Sequence, residues 1–210
     1  MRLYDYWRSS AAYRVRIALN LKGLTYERVP VNLRQGSQRT LDYLARNVQG
    51  LVPTLEDGEI RLSQSLAIVE WLDETHPEPP LLPGTPLARA EVRSLAQLIA
   101  CDVHPLNNLR VLQYLEHRFG LGERHRTAWY RHWIVEGFNA LERRLTVTAG
   151  RFSHGDAVTL ADVCLVPQVA GARRYQIDLG AYPTIRRVEA ACQELPAFEE
   201  ARPERQAGAS

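Results

Sequence analysis

Residues 2–31, RLYDYWRSSAAYRVRIALNLKGLTYERVPV, decide the fold. Arg2–Tyr6 reads as a strand. Ser9 or Ser10 can then cap a helix, because a hydroxyl at that position accepts from a free N–H of the first turn. Val15, Ala18 and Leu19, joined by Ile17 and Leu21, give the helix a core side. Gly23 ends it, and Tyr26–Val31 reads as a second strand. Strand, helix, strand in so short a run implies a crossover that joins a parallel pair.

Downstream, a polar stretch with a weaker helix leads to Leu51–Leu55 and Ile60–Ser63. These flank a turn at Asp57-Gly58, the pattern of a β-hairpin. A helix from about Gln64 to Thr75 follows, with Leu66, Ile68, Val69 and Leu72 on its core side. The order βαβ, weaker helix, ββα is that of an α/β thioredoxin-like domain. The chain has no CxxC, so another chemistry must occupy the first helix's N-terminus. From His76 to Pro86, HPEPPLLPGTP places five prolines in eleven residues, which neither a helix nor a central strand accommodates. Beyond it the pattern is helical, near Leu87–Leu115, Thr127–Leu145, Leu160–Arg174 and Thr184–Glu194. Residues 1–80 are therefore expected to form the thioredoxin-like domain, 87–210 an all-α domain, and 76–86 a Pro-rich linker. Thr159 and Asp162 are spaced as a capping box. Pro167 should bend its helix, and the tail after Pro203 should fray.

The 210 residues are 45% hydrophobic and 24% charged, an ordinary globular balance. With 26 basic and 24 acidic residues the net charge is +2, which offers no field for nucleic acid and no polybasic membrane patch. No apolar run approaches the roughly 18 residues of a membrane span, and MRLYDYWRSS has no apolar signal core. Cys101, Cys164 and Cys192 are far apart and odd in number. They read as buried thiols of a reduced, cytoplasmic protein. No two histidines have metal-ligand spacing, so no metal is expected. Lys22 is the only lysine, and arginine forks suit small carboxylates.

Three stretches can carry chemistry. Arg8-Ser9-Ser10 ends the first strand and starts the first helix, where free N–H groups and about half a positive charge favour an anion such as a thiolate. A plain serine cap is the alternative. Val52-Pro53 is either a trans edge proline or a cis one that turns the Val52 backbone toward a ligand. Gln64-Ser65 opens a helix and can hold a carboxylate and an amine, or simply start that helix. Tyr4, Tyr6 and Trp7 read equally as a site wall or as core.

Together these stretches resemble the zeta-class glutathione transferase family, in its bacterial maleylacetoacetate and maleylpyruvate isomerase form. RSSAAYRVRIALNLKGLTYE (8–27) is similar to the class signature. LVPTL (51–55) and LSQSLAIVEWL (62–72) resemble its cis-proline and glutamyl-binding segments. CDVHPLNNLRVLQYL (101–115) and TLADVCLVPQVAGARRYQIDL (159–179) resemble the isomerases. The resemblance implies glutathione as cofactor, with Ser9 and Ser10 facing its sulfur and Gln38 reaching its glycyl end. It implies that Val52, beside Pro53, pairs with the cysteinyl backbone, that Gln64 and Ser65 hold the γ-glutamyl group, and that Asn107 and Asn108 help close the site. Arg8, Arg110 and Arg174 would hold the carboxylates of a small dicarboxylate or keto-acid substrate, and His104 would line the cleft. For Arg174 a surface salt bridge is an equal reading, whereas a lone histidine on a packed helix, as His104 is, more often has a structural role; Arg173 reads as a surface residue. Ala11 stands where many members have cysteine, so the working sulfur should arrive with glutathione. A homodimer with no nucleic-acid or membrane partner is implied as well.

The implied reaction is cis–trans isomerisation of maleylacetoacetate to fumarylacetoacetate, late in aromatic amino-acid (tyrosine) degradation. A thiolate adds to the conjugated double bond, the bond rotates, and the thiolate leaves. Maleylpyruvate, the equivalent compound after gentisate formation, is the close alternative substrate, and general glutathione transferase activity is a third reading. A non-catalytic thioredoxin-like and helical interaction module is the reading from a different class. An intact tripeptide site argues against that module.

Overall fold

The computed structural model describes residues 1–209, which divide into two compact units. One is Met1–Leu81 together with the chain from Gln193 onward, and the other is Leu82–Cys192.

The first unit contains β1 (Arg2–Asp5), α1 (Ser10–Leu21), β2 (Glu27–Pro30), the short α2 (Leu41–Leu44), β3 (Thr54–Asp57), β4 (Ile60–Ser63) and α3 (Ser65–Thr75). The sheet order is β2-β1-β3-β4, with β1 parallel to β2 and antiparallel to β3. This is the expected βαβ followed by a hairpin. β3 starts at Thr54 rather than Leu51, since Pro53 has no N–H to give to a ladder.

α1 is buried on every side. Ala12 through Leu19 are all shielded, Arg14 and Arg16 included. A buried charge is tolerated when it is paired and fully hydrogen-bonded. Arg16 meets that condition: it donates to both Asp5 carboxylate oxygens (2.8 and 2.9 Å), to the Ala201 carbonyl (2.9 Å) and to the Trp7 carbonyl (3.2 Å). Arg28 adds a second cation, 2.8 Å from Asp5 Oδ2. Burial lowers the Arg16 pKa, and Asp5 opposes that shift.

The Ala201 contact marks where the domain expectation fails. The C-terminal segment does not stay with the helical unit. α9 (Pro196–Glu200) packs on α1. Tyr13 donates to the Phe198 carbonyl at 3.4 Å and Asn20 to the Ala197 carbonyl at 3.0 Å. So short a helix cannot satisfy its own carbonyls, and α1 side chains do it instead. Nor is the tail after Pro203 loose: Gln206 is buried and donates to the Glu200 and Arg202 carbonyls at 2.7 and 2.9 Å. The Pro-rich stretch is tied down as well, with Lys22 Nζ 2.6 Å from the Pro79 carbonyl and the Leu81 N–H 2.7 Å from Asp73 Oδ1.

The second unit contains α4 (Pro86–Gln97), α5 (Leu109–Phe119), α6 (Glu123–Thr148), α7 (Leu160–Arg174) and α8 (Pro183–Gln193). The single helix expected near 87–115 is interrupted. A π turn, Leu98–Val103, is closed by the His104 N–H on the Ile99 carbonyl (2.9 Å), and a 3-10 turn, Pro105–Asn107, follows it. Pro105 cannot donate to the preceding turn. Gly137 on α6 makes room for the widened turn, because a Cβ there would lie 2.2 Å from Val103 Cγ2. α7 continues through Pro167 and starts at the expected cap, where Asp162 accepts from the Thr159 N–H (2.8 Å) and from the Ser153 N–H (2.7 Å). Cys164 and Cys192 are buried, but Cys101, within the π turn, is exposed, contrary to expectation. Among the described residues no acidic, His or Cys cluster is suited to a metal, and no helix is long and apolar enough to cross a membrane.

Candidate functional site

Strand register gathers the candidate residues of the first unit. β1 ends at Asp5, opposite Pro30 of β2, and α1 starts just beyond it. Thr54 pairs with Tyr4 on one side and with Ser63 on the other. Ser9-Ser10, Val52-Pro53, Gln64-Ser65 and the segment leading to Gln38 therefore all leave the sheet at the same end.

Ser9 is the N-cap of α1, its Oγ accepting from the Ala12 N–H at 3.2 Å. That bond occupies a lone pair and leaves the hydroxyl hydrogen to donate elsewhere. Ser10 is the first helical residue. The first turns of α1 and α3 hold no acidic side chain, so nothing local neutralises their positive ends. Arg8, half-buried, stands 5.3 Å from the centre of the Trp7 ring. Tyr4 is core, clustered with Val31, Tyr43 and Val52, while Tyr6 packs on that cluster from a half-buried position.

The Val52–Pro53 bond is cis. Val52 precedes the ladder, so its backbone groups are not used in strand pairing. The residue before it is held by Tyr43 Oη and Asn47 Nδ2, which donate to the Leu51 carbonyl at 2.6 and 2.8 Å. Gln64 adopts φ 72°, ψ 115°, a conformation that costs a non-glycine residue about 1–3 kcal/mol and tends to persist at functional sites. Its Nε2 donates to Gln49 Oε1 at 2.8 Å. Ser65 is buried and accepts from Arg14 Nη1 at 3.1 Å. Gln38 is buried; its Nε2 is 3.5 Å from the Leu33 carbonyl, and its Oε1 has no hydrogen-bond partner among the described residues.

In the second unit the 3-10 turn is docked on α6. Trp129 Nε1 donates to the Leu106 carbonyl at 2.8 Å, and Asn107 Nδ2 to the Tyr130 carbonyl at 3.3 Å. Asn107 is thus a buried brace. Asn108 caps α5 by accepting from the Arg110 N–H at 3.1 Å, which leaves the Arg110 side chain exposed on the first turn. Arg174 is exposed at the last turn of α7, its guanidinium 5.5 Å from the Tyr175 ring centre. Tyr175 stacks on Tyr130 at 3.6 Å. Burial raises the Tyr130 pKa, and the positive charge of Arg174 opposes that. The surface salt bridge belongs to Arg173 instead, which grips Glu189 at 2.6 and 2.9 Å. His104 is half-buried between the π and 3-10 turns, outside any α-helix.

Nothing at the level of sequence motifs singles out Arg14, Gln49 or Tyr130. Arg14 does carry a pattern signal: arginines interleaved with Val15 and Ile17 deny α1 a polar face, the mark of a helix buried all round.

Residues 1–74 match the family model described as glutathione S-transferase, N-terminal domain. The whole chain superposes on the holo structure of a maleylpyruvate isomerase, a bacterial zeta-class glutathione transferase. The TM-score is 0.98 and the identity 49%, with 100% of both chains covered. The chain belongs to the zeta-class glutathione transferases. It is 50% identical over 206 residues to a probable maleylacetoacetate isomerase of Vibrio cholerae, covering 97% of this chain and 96% of that one. A maleylacetoacetate isomerase structure from Methylobacterium extorquens AM1, solved with bound malonate and glutathione, matches with a TM-score of 0.97 and 47% identity over 100% of both chains.

Proposed function

We propose that this zeta-class chain is a glutathione-dependent cis–trans isomerase that converts maleylacetoacetate to fumarylacetoacetate. The observation that carries the reading is the convergence of Ser9, Val52-Pro53 and Gln64-Ser65 at one end of the sheet. The residues present fit the tripeptide: a buried amide oxygen on Gln38 without a partner among the described residues, two helix N-termini with no acidic side chain in their first turns, and serine oxygens already accepting bonds, which leaves their hydrogens to donate elsewhere. Bound glutathione supplies the thiolate that adds to the conjugated double bond and leaves after rotation. No cysteine lies in the first unit, so no protein thiol there competes for that role.

The chain's own residues do the rest. A thiol has an ordinary pKa of about 8.5, and the Ser9 hydroxyl with the free N–H groups of α1, Ser10 among them, favours its anion. The Val52 backbone holds the middle of the tripeptide, with Gln64 and Ser65 at its glutamyl end and Gln38 at its glycyl end. Arg8, Arg110 and Arg174 take the substrate's carboxylates and stabilise the negative charge that develops as the double bond becomes single. Asn108 and Asn107 support this by holding the start of α5, which presents Arg110.

Maleylpyruvate is the second reading, favoured by the fold match to a maleylpyruvate isomerase. The two substrates share a cis enoyl carboxylate and differ at the other acyl end. Comparing kcat/KM for both at saturating glutathione decides between them; a higher value for maleylpyruvate moves the assignment there. The reading includes a cytoplasmic homodimer without nucleic-acid or membrane partners, and light scattering of the purified chain tests its dimeric state. A monomeric mass contradicts it.

A further inference from the structure

We infer that Arg14 is a positioning residue for the glutathione site, aiming the Ser65 hydroxyl at the α-carboxylate of the γ-glutamyl group. The inference rests on the glutathione reading above. Arg14 and Ser65 are 2% and 6% exposed, and Arg14 Nη1 lies 3.1 Å from Ser65 Oγ. A guanidinium has donors only, so this contact uses a lone pair of the hydroxyl and forces its hydrogen toward another acceptor. As the first residue of α3, Ser65 has no preceding helical turn whose carbonyl could take that hydrogen. No acidic side chain stands in the first turn of α3 either, so an external anion is the acceptor that suits it.

The guanidinium also polarises the hydroxyl, which strengthens the outgoing bond in a buried setting. One helix then serves both ends of the ligand. The N-terminus of α1 faces the sulfur through Ser9. Arg14, five residues on and about 7 Å along the axis, sets the glutamyl end through α3.

The test measures dissociation constants by calorimetry for glutathione and for its analogue in which 4-aminobutyrate replaces the γ-glutamyl residue, so that only the α-carboxylate is missing. The ratio of the two constants is the carboxylate penalty. In the wild-type chain it should be about 10- to 150-fold, the range for a hydrogen-bonded charge. In Arg14→Gln the penalty should fall below about fivefold, with Arg14→Lys between the two. A general packing defect weakens both ligands alike and leaves the ratio unchanged, and that outcome overturns the inference. If circular dichroism shows Arg14→Gln to be unfolded, Arg14→Lys decides alone: a reduced ratio supports the assignment and a wild-type ratio overturns it. Failure of the wild-type chain to bind glutathione at all instead removes the glutathione reading itself.

Discussion

Ser9→Ala removes one hydroxyl that makes two kinds of bond, and each loss has its own readout. The first is the cap, in which Ser9 Oγ accepts from the Ala12 N–H at 3.2 Å. Losing a serine cap costs about 1 kcal/mol. In a chain of this size that lowers Tm by about 2–4 °C. The second is the outgoing O–H, proposed to hold the thiolate. A hydrogen bond to a charged group contributes about 1.5–3 kcal/mol, equivalent to a fall in turnover of about 10- to 150-fold. The same loss raises the bound thiol's pKa by about 1–2 units, since the anion is what the bond favours, so the rising limb of the pH–rate profile moves to higher pH. Thiolate ultraviolet absorbance of the binary complex reads that shift directly. Ser9→Asp separates the two roles, because aspartate caps as well as serine but cannot donate at neutral pH. It should recover Tm while turnover stays low. If Ser9→Ala keeps wild-type turnover and thiol pKa, Ser9 is only a cap, and the sulfur is held by Ser10 or by backbone N–H groups.

Other substitutions probe the remaining parts. Arg110→Ala and Arg174→Ala should each lower kcat/KM by about tenfold or more while the glutathione dissociation constant holds, as expected for lost charge-assisted contacts to substrate; equal loss of both properties makes those arginines structural. Gln64→Gly should relieve the cost of φ 72° and raise the unfolding free energy by about 1 kcal/mol while weakening glutathione binding, and unchanged binding removes Gln64 from the site. Burial pushes the Tyr13 hydroxyl up to about 12 from its ordinary 10.0. Between those values the unfolded chain is the more ionised, so stability falls as pH rises, by about 1.4 kcal/mol per unit. Denaturant titrations across that window should show the decline in the wild-type chain and a shallower one in Tyr13→Phe; parallel curves refute the assignment.

Local signals make the first unit readable. The cap at Ser9, the stop at Gly23 and the two-residue hairpin loop act within a few residues of themselves, so their outcome does not depend on distant contacts. Ser9, Val52-Pro53 and Gln64-Ser65 are legible for a related reason: each lies where a strand gives way to a loop or a helix, and register alone brings them together. The misses are non-local. Apolar spacing runs on through 98–107, so periodicity hides the π turn that Gly137, some thirty residues away in sequence, accommodates. The return of α9 depends on Tyr13, Arg16 and Asn20 donating to carbonyls far along the chain. Arg14 and Ser65 are separated by 51 positions, and nothing near either residue announces the pair.

In the proposed reaction the working sulfur arrives with glutathione. Its most direct test follows maleylacetoacetate turnover with glutathione, without it, and with S-methylglutathione, whose sulfur is blocked. The expected result is isomerisation with the free thiol alone and inhibition by the blocked one. Equal turnover without glutathione, or with the S-methyl analogue, contradicts it.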